Sequence, residues 1–206
     1  MFENNRWTKQ AYIKASNADP DDRFGSAIAL SGNVLVVGAP REDGNATGVN
    51  GEESDNSSSN SGAVYVFERD NGRWRQTAYV KASNTDAGDN FGASVSISAD
   101  GNALVVGAPV EESATTGIDG DQTNNSVFGA GAAYLFVRNV NGWSQQAYIK
   151  ASNTDAGDRF GASIAISGDG NTIVTSAASE ESSTTGINGE ETDSASNAGA
   201  AYLFSF

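Results

Sequence analysis

A chain of 206 residues without cysteine or histidine has no disulfides, no thiolate chemistry and no imidazole to serve as general base or transition-metal ligand. Its formal net charge of −14 repels nucleic acid and anionic membranes, both of which are met through Lys/Arg surfaces. No stretch approaches the roughly 20 apolar residues of a membrane span, so membrane insertion is not expected, and cations or polar ligands are the natural partners.

The N-terminus, Met1-Phe2-Glu3 followed by two Asn, does not read as a signal peptide; an export signal is expected to be removed or to lie outside this chain. The first apolar segment, Trp7–Ala15 (WTKQAYIKA), leads into the line ASNADPDDRFGSA at 15–27. That line returns as ASNTDAGDNFGAS at 82–94 and ASNTDAGDRFGAS at 151–163. Trp7, Trp74 and Trp143 recur at 67 and 69 residues, and Tyr65, Tyr134 and Tyr202 at 69 and 68. Repeats of about 68 residues, near 7–69, 74–138 and 143–206, therefore fill a single domain, 1–206.

Each repeat holds four segments rich in Val, Ile, Tyr and Phe, bounded by Gly, Asn, Asp and Ser. In the second copy they are Trp74–Ala82, Ala93–Ser98, Ala103–Gly107 and Ala132–Arg138, termed outer, inner, second and third strands. Ser98–Asn102 and Ser167–Asn171 read as tight hairpin turns, as do Asp70-Asn71-Gly72 and Asn141-Gly142. No window has sustained helical periodicity. Four antiparallel strands, repeated radially, define a β-propeller blade; a sandwich or a β-solenoid of hairpin pairs is the alternative.

Phe91-Gly92, then Val105-Val106-Gly107-Ala108-Pro109, then Ala133-Tyr134-Leu135-Phe136 resemble the FG-GAP repeat of the integrin α-subunit propeller and of many bacterial secreted or surface proteins. The first copy has Phe24-Gly25, Gly38-Ala39-Pro40 and Val64-Tyr65-Val66-Phe67; the third keeps Phe160-Gly161 but has Ser176-Ala177-Ala178. The resemblance spans essentially the whole chain. It implies an all-β propeller of four-stranded antiparallel blades, with the strand after Phe-Gly innermost and the Trp/Tyr strand outermost. It also implies an extracellular or surface location, and makes the recurring Trp and Tyr core and inter-blade residues. The calcium loop, Asp-x-Asp-x-Asp-Gly, that such repeats often carry between inner and second strands is missing. The turns there are too short to gather the six to eight oxygens calcium needs.

The outer-to-inner and second-to-third connections are expected on one side, collecting most of the acids, Glu111, Glu112, Glu180 and Glu181 among them. The long connections share a motif, Thr47-Gly48-Val49-Asn50-Gly51, Thr116-Gly117-Ile118-Asp119-Gly120 and Thr185-Gly186-Ile187-Asn188-Gly189. It reads as a turn that covers the face, pinned by Val49, Ile118 or Ile187. The repeated Asp pairs read first as turns whose Asx side chains bond their own backbone. Read functionally, Asp19, Asp22, Asp86, Asp89, Asp155 and Asp158, with Asp119 and Asp121, form an acidic face for a polar ligand, protein or glycan, or for a divalent cation, calcium being the candidate.

A non-enzymatic binding or adhesion module leads these readings. Self-assembling repeats form the second. A carboxylate-pair glycosidase comes last, because every copy repeats the same acids, whereas catalysis needs one asymmetric pair. Three repeats starting on an outer strand close only two blades, and four to eight are usual. Strand exchange within a homodimer, using Trp7, Tyr12, Tyr202, Phe204 and Phe206, would complete six.

Overall fold

The computed structural model describes Phe2–Glu3 and residues 6–206, and among these it is all β. Blade 1 is a four-stranded antiparallel sheet of β3 (Ala27–Ser31), β4 (Val34–Ala39), β5 (Ala63–Asp70) and β6 (Arg73–Val80). Blade 2 repeats it with β7 (Ser94–Ile97), β8 (Ala103–Ala108), β9 (Ala132–Asn139) and β10 (Gly142–Ile149). Blade 3 has three strands, β11 (Phe160–Ile166), β12 (Thr172–Ala177) and β13 (Ala200–Ser205). The expected strands of the second copy thus stand within two residues of their observed limits.

The expected outer strand Trp7–Ala15 is a correction. Only Arg6–Trp7 (β2) is a strand, paired with Phe2–Glu3 (β1), and residues 8–15 adopt no regular structure. An outer strand is made by its neighbour's edge: β6 and β10 lie on β5 and β9, whereas among the described residues no third strand pairs with residues 8–15. Sequence repeat and blade are thereby out of phase by one strand, blades 1 and 2 each being finished by the repeat that follows.

Blades stack through apolar faces. Val34, Val36, Val64 and Val66 on one side of blade 1 meet Phe91, Leu104, Val106, Tyr134 and Phe136 of blade 2. Val105, Ala133 and Leu135 of blade 2 meet Phe160 and Ile173 of blade 3. Each Phe-Gly phenylalanine packs edge-on against its own third strand, as Phe91 does at 5.3 Å from Tyr134 and 6.1 Å from Phe136.

The glycines explain why the two halves of the motif travel together. A Cβ on Gly38 would lie 2.0 Å from the Gly92 carbonyl oxygen, and one on Gly107 would lie 2.0 Å from that of Gly161. The Phe-Gly peptide of one blade is therefore seated on the Gly-Ala-Pro strand of the blade before it. Ser176 occupies this position in blade 3, where no further blade among the described residues lies against it.

Tryptophan follows the core expectation unevenly. Trp143 is buried, Trp74 is half-buried beneath the Arg69 guanidinium at 5.6 Å, and Trp7 is 83% exposed.

Candidate functional site at the loop end

The Asn of the repeated line ties each incoming loop to its blade. The Tyr65 hydroxyl donates to Asn17 Oδ1 at 2.6 Å, and Asn17 Nδ2 donates to Glu42 Oε1 at 3.0 Å. Tyr134, Asn84 and Glu111 repeat the arrangement at 2.8 and 3.0 Å, and Tyr202, Asn153 and Glu180 at 2.6 and 2.8 Å.

The outer strand then completes the cluster. Tyr79 and Lys81 donate to Glu42 at 2.9 and 2.8 Å, and Tyr148 and Lys150 donate to Glu111 at 2.8 Å each. Both lysines are fully buried. Burial pulls each ammonium below its usual pKa, opposed by the facing glutamate, and pushes the tyrosines up. Such a pair tolerates neither partner's loss, because the survivor is an uncompensated buried charge. Glu111 and Glu180, expected on the acidic surface, are instead interior residues. The signal was present: Lys14, Lys81 and Lys150 recur in step with Glu42, Glu111 and Glu180, and a charge repeated inside an apolar frame needs a partner.

The long-loop motif does not cover the face. It forms a further edge to the outer strand. Gly48 N–H donates to Ala82 O at 3.2 Å, Lys81 N–H to Gly48 O at 2.8 Å, Asn50 N–H to Tyr79 O at 2.7 Å, and Tyr79 N–H to Asn50 Oδ1 at 3.0 Å. Gly117, Ile118 and Asp119 do the same for Tyr148–Ala151. Val49 and Ile118 are pinned by this pairing, whereas Ile187 is 93% exposed.

The candidate acids separate into two sets. Asp22, Asp89 and Asp158 are turned inward, 6%, 3% and 2% exposed, and each accepts the backbone N–H three residues earlier, from Asp19, Asp86 and Asp155. Burial raises all three, Asp89 to about 8 and Asp158 to about 6. They are buried groups that serve their own turns. Asp19, Asp86, Asp155, Asp119 and Asp121 stay exposed. Asn56 donates to Asp19 and Asn125 to Asp86, at 2.7 Å each, so the repeated loops and long loops lie together. Asp119 and Asp121 are also engaged within the fold, Asp119 accepting from Tyr148 N–H of β10 and Asp121 from Thr123. Among the described residues, no three acidic side chains converge as a metal site. In the short turns, Asp100 and Asp169 are satisfied by Ser98 and Asn102, and by Ser167 and Asn171.

Of the assembly residues, Trp7, Tyr12 and Phe206 are exposed, at 83%, 81% and 49%. Tyr202 and Phe204, though named for strand exchange, are half-buried against Phe160 of their own blade, at 5.4 and 6.1 Å. The exposed side of that strand is Leu203, 72% accessible.

Propeller-like blades carrying polar clusters at one loop end define a repeat scaffold. The chain belongs to the FG-GAP repeat family, whose model matches residues 7–67, 74–136 and 143–204. No curated protein matches the chain. Repeats of this family form modules of the binding and adhesion type, generally without catalysis, and are typical of extracellular and surface proteins. Among the described residues no helix is long and apolar enough to cross a membrane.

Proposed function

We propose that the chain is a non-enzymatic binding module acting outside the cell or at its surface, and that its exposed loop acids meet a polar, cation-bearing ligand. The observation that carries this is the division within each Asp pair. One member is spent on the turn, while Asp19, Asp86 and Asp155 repeat at the surface, the first two bonded to Asn56 and Asn125 of the long loops. Calcium as a bridging ion and a glycan or protein as ligand are the chemistries such a surface suits.

Calorimetry with calcium chloride, followed by a glycan array with and without calcium, tests the reading on the wild type and on a variant with Asp19, Asp86 and Asp155 changed to Asn. Binding that is weakened by the substitutions and by salt supports it. Binding indifferent to both overturns the acidic surface, and glycan turnover abolished by a single Asp change overturns the non-enzymatic assignment. A second reading, a self-assembling unit that a further copy completes to six blades, is favoured by the open edge of β13.

A further inference from the structure

In blades 1 and 2 the fourth strand is held from both sides, by the third strand and by the Gly-[Val/Ile]-[Asn/Asp] loop. Among the described residues, blade 3 has both walls and no strand between them. β13 and the loop Thr185–Gly189 border a groove of about 910 Å³, lined in part by Glu180, Ser182, Ile187, Tyr202, Leu203 and Phe204. At its inner end Glu180, 2% exposed, accepts from Asn153 and Ser182 but from no cation among the described residues. Its counterparts Glu42 and Glu111 each hold a lysine at 2.8 Å.

The groove specifies its occupant through the two filled examples: an extended segment reading Tyr-[Val/Ile]-Lys, whose tyrosine and ammonium both reach the glutamate. The chain contains that segment three times, and two are already seated. The third, Tyr12-Ile13-Lys14, is without regular structure, with Tyr12 81% exposed and Lys14 exposed. It lies ten residues before Phe24, as Lys81 lies before Phe91 and Lys150 before Phe160.

Its own chain cannot deliver it. Ile13 and Ala15 pack on blade 1 and Asn17 holds Tyr65, with blade 2 standing between them and blade 3.

We propose that Trp7–Ala15 of a second copy adds to β13, with Lys14 pairing with Glu180 of the facing chain, reciprocally, in a closed pair of six blades. The proposal rests on the self-assembly reading and supplies its contact. Register transfers from blade 2, where Ala147, Tyr148 and Ile149 face Leu135, Tyr134 and Ala133. Ala11 then faces Leu203, Tyr12 faces Tyr202 and Ile13 faces Ala201.

The added strand carries blade 1 of its own chain towards blade 3. The face of blade 1 so presented bears Ile28 and Leu30, 69% and 64% exposed. Their counterparts Val95 and Ile97, and Ile164 and Ile166, are packed against a preceding blade. Ser176 is the one point of resistance. Its Cβ stands where Gly38 and Gly107 admit a Phe-Gly carbonyl, so the blades meet less closely there than within a chain. The strand groove does not include it.

Light scattering of the 206-residue chain should give twice the 21.2 kDa chain mass. Because the chain has no native cysteine, Ala11→Cys together with Leu203→Cys reports register directly: oxidation should yield a covalent dimer, and Ala11→Cys with Ser205→Cys should not. Lys14→Glu and Glu180→Lys should each lose the dimer alone and regain it when mixed, since both grooves of the mixed pair then hold opposite charges. Should Glu180→Lys fail to fold, Lys14→Glu, at an exposed position, and the disulfide pair still decide the matter. A monomer at every concentration overturns both the self-assembly reading and the groove assignment. A dimer that neither cross-links in this register nor responds to Lys14→Glu overturns the groove alone, and masses beyond two chains overturn the closed pair.

Discussion

Blades 2 and 3 place the same side chains in two different settings. Glu111 meets Asn84, Tyr148 and Lys150, all within hydrogen-bond distance, while Glu180 meets Asn153 and Ser182 and, among the described residues, no ammonium. The difference arises from phase. A repeat supplies the glutamate, and the following repeat supplies the lysine that neutralises it. The unit that folds is thus the junction between repeats, and blade 3, three-stranded among the described residues, has its glutamate in place without the facing strand.

The largest test of this contrast removes a lysine at a filled junction. Lys150→Met leaves Glu111 charged and buried, a loss of about 3–5 kcal/mol in denaturant unfolding. Lys14→Met, the same residue type at the corresponding position, should leave the unfolding free energy of the dilute single chain within about 0.5 kcal/mol. Equal losses would abolish the distinction between filled and open junctions.

Backbone approach gives the next contrast. Gly107→Ala brings a methyl to 2.0 Å from the Gly161 carbonyl oxygen, and the strands must part, at a cost of about 1–3 kcal/mol or more. Ser176→Gly, which restores the motif in blade 3, should tighten self-association measured by sedimentation. An unchanged dissociation constant would show that a partner's Phe24-Gly25 does not approach that strand.

The pH dependence separates blades by their buried aspartates. Asp89 rises from an ordinary 3.8 to about 8 and Asp158 to about 6, in both cases chiefly through burial. The folded chain therefore holds protons that the unfolded chain releases, and stability must fall as pH rises through each window. Thermal melts should decline from about pH 4 towards 8, following these values. Asp89→Asn should flatten the slope up to about 8, and Asp158→Asn only its part below about 6. A slope that Asp89→Asn leaves unchanged would place the proton elsewhere.

Much of this was legible in the residues. Recurrence of Trp, Phe-Gly and Tyr located the strands, because each must present the same face to its neighbour at every turn of the repeat. Phe-Gly and Gly-Ala-Pro were recognisable as motifs, but their mutual contact was not, since it joins positions about 54 residues apart in different blades, as Gly38 and Gly92 are. The acids misled for a different reason. An Asp near a Gly-rich turn looks alike whether its carboxylate faces solvent, as in Asp86, or caps a backbone N–H inward, as in Asp89. Trp7–Ala15 misled because strand propensity is shared with β6 and β10 while the hydrogen-bonding edge is not.

The smallest expected effect concerns the long-loop apex. Ile118 is 46% exposed and bridges Ile149 on the outer edge of β10, so Ile118→Ala removes a half-buried side chain and should cost roughly 1 kcal/mol. Ile187, 93% exposed beside an empty groove, has no such contact to lose, and Ile187→Ala should fall within about 0.5 kcal/mol for the dilute chain. The two loops share the Thr-Thr-Gly-Ile core, so propensity cannot separate them; only the presence of a strand to pair with can. Amide exchange gives the same comparison without mutation. Asp119 N–H, bonded to Tyr148 O at 2.8 Å, should be protected, and Asn188 N–H should exchange freely in the single chain. Raising the concentration until the groove fills should protect Asn188 while leaving Asp119 unchanged. Protection of Asn188 in the monomer would mean that this loop edge is closed without a strand, and the contrast between blades 2 and 3 would lose its basis.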